Sequence, residues 1–97
     1  MAQIIKEENR WLVSGDMTIA HVESLLTEST HLHMARSLDI NLKEVTDVDT
    51  ATISLLFEWL RTANEHKCNI TFANFPQNLS SLAALYGVVE LLPQAAH

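Results

Sequence analysis

One cysteine, two glycines and two prolines are all the chain holds of the residues that staple, bend or break a backbone. The lone Cys68 excludes a disulfide framework within the chain and leaves no cysteine pair to hold zinc, as expected in a reducing compartment. So little glycine and proline, in a chain that is 47% hydrophobic, argues against a linker or a disordered tail. Positive charge is also scarce. Six Lys and Arg face twelve Asp and Glu, for a formal net charge of −6, and the cations are scattered without a cluster. Nucleic-acid binding by phosphate neutralisation is therefore not expected, nor is direct attachment to an anionic membrane surface. No apolar run approaches the ~20 residues that cross a bilayer, so no direct membrane insertion is expected. The N-terminal stretch from Met1 to Arg10 has neither the charged start nor the apolar centre of a signal peptide, and a cytoplasmic location follows as the expectation.

What is present is a compact pattern. A chain of 97 residues buries somewhat over ~60% of its unfolded surface, enough for one core and one domain spanning residues 1–97. Gln3-Ile4-Ile5-Lys6 and Trp11-Leu12-Val13-Ser14 read as two strands of an opening hairpin, with turn chemistry in Glu7 to Arg10. Gly15 ends the second strand, where a Cβ would hinder the backbone. Thr18 is a candidate N-cap for a first helix over Ile19–Thr30, whose stripe is Ile19, Val22, Leu25 and Leu26. Ser37 to Leu42 alternates apolar and polar as a third strand.

The octet Val45–Thr52 follows as a polar, acid-rich loop into a second helix over Thr50–Glu65. Ile53, Leu56, Phe57 and Leu60 form that helix's buried stripe. Thr52, Leu55, Trp59, Thr62 and His66 fall on a flank roughly 120° away. Asn69-Ile70-Thr71-Phe72 is a fourth strand, returning as a right-handed crossover requires. Asn74-Phe75-Pro76 opens a third helix with Leu79, Leu82, Ala83 and Tyr86 as its stripe, and Gly87 stands where a helix ends. Val88 to Pro93 is an apolar closing segment that packs back on the core. The predicted order is β-β-α-β-α-β-α: an α/β sandwich with a small mixed sheet.

Acid-rich loops before helices are a common seat of chemistry in such folds. The partners that chemistry needs are missing here. His21, His31, His33, His66 and His97 supply no helical i, i+4 pair and no Cys–His set, so neither a metal nor a cofactor is expected. Asp39, Asp47 and Asp49 lack the further acids and the lysine of a phosphoacceptor site. There is no Gly-rich phosphate loop and no nucleophile beside a base. No catalytic residue is expected, and the chain is read as a binding protein rather than an enzyme.

Two features of the second helix remain. Thr50 reads either as an N-cap beside Asp49 or as an exposed hydroxyl that a modification or a partner could use. A phosphate there would face Asp47 and Asp49, so modification would act as an electrostatic switch. Thr52, Leu55 and Trp59 read either as packing against a neighbouring helix or as an apolar flank for a partner, with Trp59 as its anchor.

Several segments carry a family resemblance across nearly the whole chain. Ser14-Gly15-Asp16-Met17 resembles the Gly-acid-apolar signature that closes the second strand of STAS domains, the family shared by sulphate-transporter tails and anti-sigma-factor antagonists. Asp39-Ile40-Asn41-Leu42 through Asp49-Thr50 is similar to its central D-L-S … V-D-S/T pattern. In phosphoregulated members an Asp-Ser-x-Gly motif opens the second helix. Asp49 and Thr50 match it, and Thr52 departs where glycine is usual. With Leu82-Ala83, Leu85-Tyr86 and Leu91-Leu92-Pro93, the pattern most resembles the stand-alone STAS subunits of Mla-type phospholipid-transport ABC systems of Gram-negative bacteria.

That resemblance implies a cytoplasmic accessory subunit, held at the inner face of the inner membrane by its partner. The partner would be the ATPase subunit of the transporter, and the pathway would maintain outer-membrane lipid asymmetry. Asp49, Thr50, Thr52, Leu55 and Trp59 are the expected docking residues. The alternative is an anti-sigma-factor antagonist, in which an anti-sigma-factor kinase phosphorylates Thr50 and so controls partner exchange.

Overall fold

The structure is a computed structural model that describes residues 2–32, 34 and 36–94. Its elements are β1 (Gln3–Glu7), β2 (Arg10–Asp16), α1 (Val22–Thr30), β3 (Ser37–Asp47), α2 (Thr50–Glu65), β4 (Asn69–Ala73) and α3 (Gln77–Leu85). A single 3-10 turn, Val89–Leu91, follows. This is the predicted order β-β-α-β-α-β-α.

The sheet has the order β1-β2-β3-β4. β1 and β2 form an antiparallel hairpin, with Glu7 opposite Arg10. The tight turn between them holds Glu8 at φ 50. β2, β3 and β4 run parallel. Both crossovers step the same way across the sheet, so right-handed connections place α1 and α2 on one face. Trp11, Val13, Leu38, Ile40, Leu42, Ile70 and Phe72 point to that face and are buried with Leu25, Leu56 and Trp59. Trp11 and Trp59 meet edge to face at its centre, 5.6 Å apart at 82°. The neighbouring residues in each strand turn the other way: Leu12, Asp39, Asn41 and Thr71 are half-buried on the open face.

β3 runs five residues past the predicted end at Leu42. The alternation that marks a strand breaks at Lys43 and Glu44, both exposed, and resumes out of phase with buried Val45. The pairing with β2 skips a residue at the same place, as a bulge does. Asn41 Oδ1 accepts the Lys43 N–H there at 2.9 Å. Most of the octet's first half is therefore strand, and the connection into α2 is only Val48-Asp49.

α1 starts at Val22 and not at Ile19. Thr18 supplies no side-chain cap, because its hydroxyl is turned to Asp16; its carbonyl accepts the N–H groups of His21 and Val22 instead. At the other end of the chain, Gly87 takes φ 67 just past the Tyr86 cap of α3, the left-handed conformation that glycine tolerates. The chain then turns back. Leu92 is buried, and Phe72 donates its N–H to Pro93 O at 2.8 Å along the free edge of β4. Cys68 is buried at the start of β4, and burial pushes its thiol pKa up. No helix among the described residues is long and apolar enough to cross a membrane.

Candidate functional site

The parallel strands end together, with Asp16 of β2 opposite Asp47 of β3. The carboxyl ends of such strands are where α/β sheets present their loops to ligands and partners. Here the two loops, Met17 to His21 and Val48 to Asp49, are tied into one rigid surface.

Asp49 is the knot. Its backbone is extended, which makes it the N-cap of α2, and its Oδ1 accepts the Ala51 N–H at 2.9 Å. Its own N–H donates to Thr52 Oγ1 at 3.0 Å, closing a capping box with threonine in place of the usual acid. The Thr52 hydroxyl donates in turn to Met17 O at 2.7 Å, so it is satisfied as donor and acceptor inside the core. The second carboxylate oxygen of Asp49 accepts the Ile19 N–H at 3.0 Å, which fastens the first loop to the start of α2. Met17 N–H donates to Asp47 O at 2.9 Å beside it.

Asp16 orders the rest of the first loop. It accepts from both the hydroxyl and the backbone N–H of Thr18. The Thr18 hydroxyl, then its N–H, hold the Asp16 carboxyl below the usual carboxylate range, and His21 adds a smaller pull. His21 Nδ1 stands 3.5 Å from Asp16 Oδ2.

Thr50 comes one residue inside the helix. The N-cap expected at Thr50 is Asp49, and Thr50 is left exposed with its hydroxyl outside the cap. That hydroxyl meets the phenol of Tyr86, Oγ1 to Oη 3.2 Å. Tyr86 is brought there by α3, whose first turn is anchored by Asn78 Nδ2 donating to Thr46 O at 3.2 Å.

The flank predicted to dock a partner lies elsewhere. Thr52 is 0%, Leu55 4% and Trp59 1% exposed. The cause is plain: α1 lies over Leu55 and Trp59, and the loop at Met17 covers Thr52. Trp59 Nε1 donates to Ser29 Oγ of α1 at 2.9 Å, and its ring packs on Trp11. Of the five docking candidates, Asp49 and Thr50 share the surface, and Leu55 reaches it only as the floor of a groove between α1 and α2.

Two apolar residues of this surface, Ile19 and Tyr86, carry the period of buried helical stripes in the sequence. Ile19 is 72% exposed, because it lies in the loop before α1. Tyr86 is 52% exposed, because it caps α3 instead of continuing its buried face, and Leu85 beside it is 76% exposed. Only the placement of the helix ends could have separated them from the core.

Charge completes the site. Asp16, Asp47 and Asp49 lie at this end of the sheet, with Glu44 near the end of β3 and Glu23 in the first turn of α1. Lys43 is the one lysine or arginine near them. Arg10, Arg36 and Lys67 lie where the parallel strands begin, and Arg61 lies in the last turns of α2, paired to Glu58 and Glu65. Among the described residues no group of three His, Cys, Asp or Glu could hold a metal ion. His33 and His97 lie outside the described residues.

Residues 5–93 match a family model described as "Mlab, STAS domain". No curated protein matches the chain in sequence. Among solved structures, the anti-sigma factor antagonist SpoIIAA in its unphosphorylated form is similar at TM-score 0.74 and 11% identity, over 100% of this chain and 90% of that one. An anti-sigma factor antagonist from Mycobacterium paratuberculosis is similar at TM-score 0.70 and 12% identity, over 100% of this chain and 86% of that one. RsbS from Moorella thermoacetica, in a serine-to-glutamate variant, is similar at TM-score 0.65 and 18% identity, over 99% of this chain and 86% of that one. At such identities the likeness concerns the fold.

Proposed function

The chain belongs to the STAS domain family, and from that premise we propose that it is a non-enzymatic subunit that docks on the ATPase of an Mla-type ABC phospholipid transporter. The observation that carries this reading is the match of residues 5–93 to a model whose description names Mlab. The site geometry supports it. Thr50 presents a hydroxyl on an exposed first turn that the Asp49–Thr52 capping box holds rigid. A rigid, preformed surface loses little entropy when a partner covers it. In this reading the chain is cytoplasmic and is held at the inner membrane by its partner, where it supports a transporter that maintains outer-membrane lipid asymmetry.

Thr50→Glu tests it. The substitution puts a third carboxylate beside Asp47 and Asp49 on an exposed position, so the fold stays intact. The wild-type chain is expected to co-purify with the cognate ATPase subunit, and Thr50→Glu to lose it. Normal co-purification of the variant counts against the reading.

The exposed Thr50 hydroxyl also suits a second reading, the phosphorylation-controlled partner switch of an anti-sigma-factor antagonist. Against it, Thr52 stands where the Asp-Ser-x-Gly motif of phosphoregulated members has glycine, and its side chain is buried in the cap of α2. Stoichiometric phosphate on Thr50 after incubation with a cognate kinase, read by intact mass, would favour the switch.

A further inference from the structure

Beside Thr50, a groove of about 440 Å³ opens between α1 and α2. Ile19, Val22 and Leu26 form one wall, Ala51 and Ser54 the other, and Leu55 the floor. Glu23 and Glu58 complete its lining. We infer that this groove seats a large apolar side chain carried on a basic surface of the ATPase subunit. The inference rests on the proposed function for the identity of the partner.

Four observations select that occupant. A small ligand needs convergent polar groups to orient it. The carboxylates here are Glu23, which is exposed, and Glu58, which is already engaged by Arg61. A second copy of the chain would bring an acidic end against an acidic end, in a molecule of net charge −6. A basic partner meets Asp16, Asp47, Asp49 and Glu23 favourably instead. Finally, the apolar lip is held in place. Ile19 stays 72% exposed, yet its N–H is bound to Asp49, and Thr18 before it is bound to Asp16. An exposed isoleucine on a fastened loop is preorganised for contact. The groove adjoins the Thr50 face, because Ala51 follows Thr50 and Asp49 holds Ile19.

The experiment measures affinity of the purified chain for the purified cognate ATPase subunit. Ser54→Trp fills the groove from an exposed helix position, and Ile19→Asp replaces its apolar lip. Each is expected to weaken binding about tenfold or more, with an unchanged thermal midpoint. Glu23→Lys is expected to weaken binding and to flatten its dependence on salt. Wild-type binding that Ser54→Trp and Ile19→Asp leave within about twofold overturns the groove and spares the proposed function. A wild-type chain that does not bind the ATPase overturns both. Sedimentation of the chain alone provides the remaining arm: a dimer that Ser54→Trp dissolves would place a second copy in the groove and overturn the inference.

Discussion

Asp49, Thr50 and Thr52 look alike in the sequence and do three different things. Helical phase separates them. Thr52 falls on the side facing the sheet and is buried between Asp49 N–H and Met17 O, whereas Thr50 falls on the solvent side. Thr50 read as the cap because threonine is a preferred one; the cap proved to be the residue before it, and a shift of one position exchanged the roles. The residues' stabilities follow from those roles. Asp49→Ala is expected to cost about 1–2 kcal/mol in denaturant unfolding, since it strips a cap. Thr52→Val leaves the half-buried Asp49 N–H and the buried Met17 carbonyl without their partner and is expected to cost about 1–3 kcal/mol. Thr50→Val is expected to stay within about 0.5 kcal/mol, as exposed substitutions do. A Thr50→Val as costly as Thr52→Val would make Thr50 a structural residue and not a contact. Asp16 adds a pH dependence. Its folded pKa lies below its ordinary value of 3.8, so its contribution is present above that value and fades as pH falls through the lower folded one. Asp16→Asn is therefore expected to be less stable than wild type at neutral pH and to lose less on acidification, measured as the denaturant midpoint from neutral to strongly acidic pH.

At the scale of elements, α2 was legible from end to end, Thr50 to Glu65, because its apolar period is long and unbroken. β3 was legible only as far as its alternation lasted, since a bulge reverses which residues point inward and erases the pattern. What covers each flank of α2 was not legible either. A helical wheel shows two apolar flanks but not their neighbours, and the flank given to a partner is the one that α1 and the loop at Met17 cover. Trp59 then belongs to the core: it packs on Trp11 and donates to Ser29. Trp59→Ala is expected to lower stability by about 3–5 kcal/mol, the usual cost of removing a buried tryptophan. Unfolding curves followed by circular dichroism measure it. A variant of wild-type stability that has lost ATPase binding would return Trp59 to the surface role that its sequence position suggested.

At the scale of the whole molecule, composition gave the sign of the charge but not its direction. Acids and cations are interspersed along the chain, and the fold decides which end carries the excess of acids. Asp16, Asp47 and Asp49 gather where the strands end, while Arg10, Arg36 and Lys67 stand where they begin and offset Glu7, Glu8 and Asp39 there. A charge divided this way steers a basic partner toward the Thr50 end, through the association rate more than through the final contacts. Two substitutions that change net charge equally separate direction from sum. Asp47→Asn removes an exposed carboxylate beside Thr50, and Glu8→Gln removes one from the hairpin turn at the other end. Stopped-flow association with the cognate ATPase subunit at low salt is expected to slow for Asp47→Asn and to hold for Glu8→Gln, with the difference shrinking as salt shortens the reach of the field. Equal slowing by both would mean that net charge alone guides the encounter, and that the acidic end of the sheet has no special part in it.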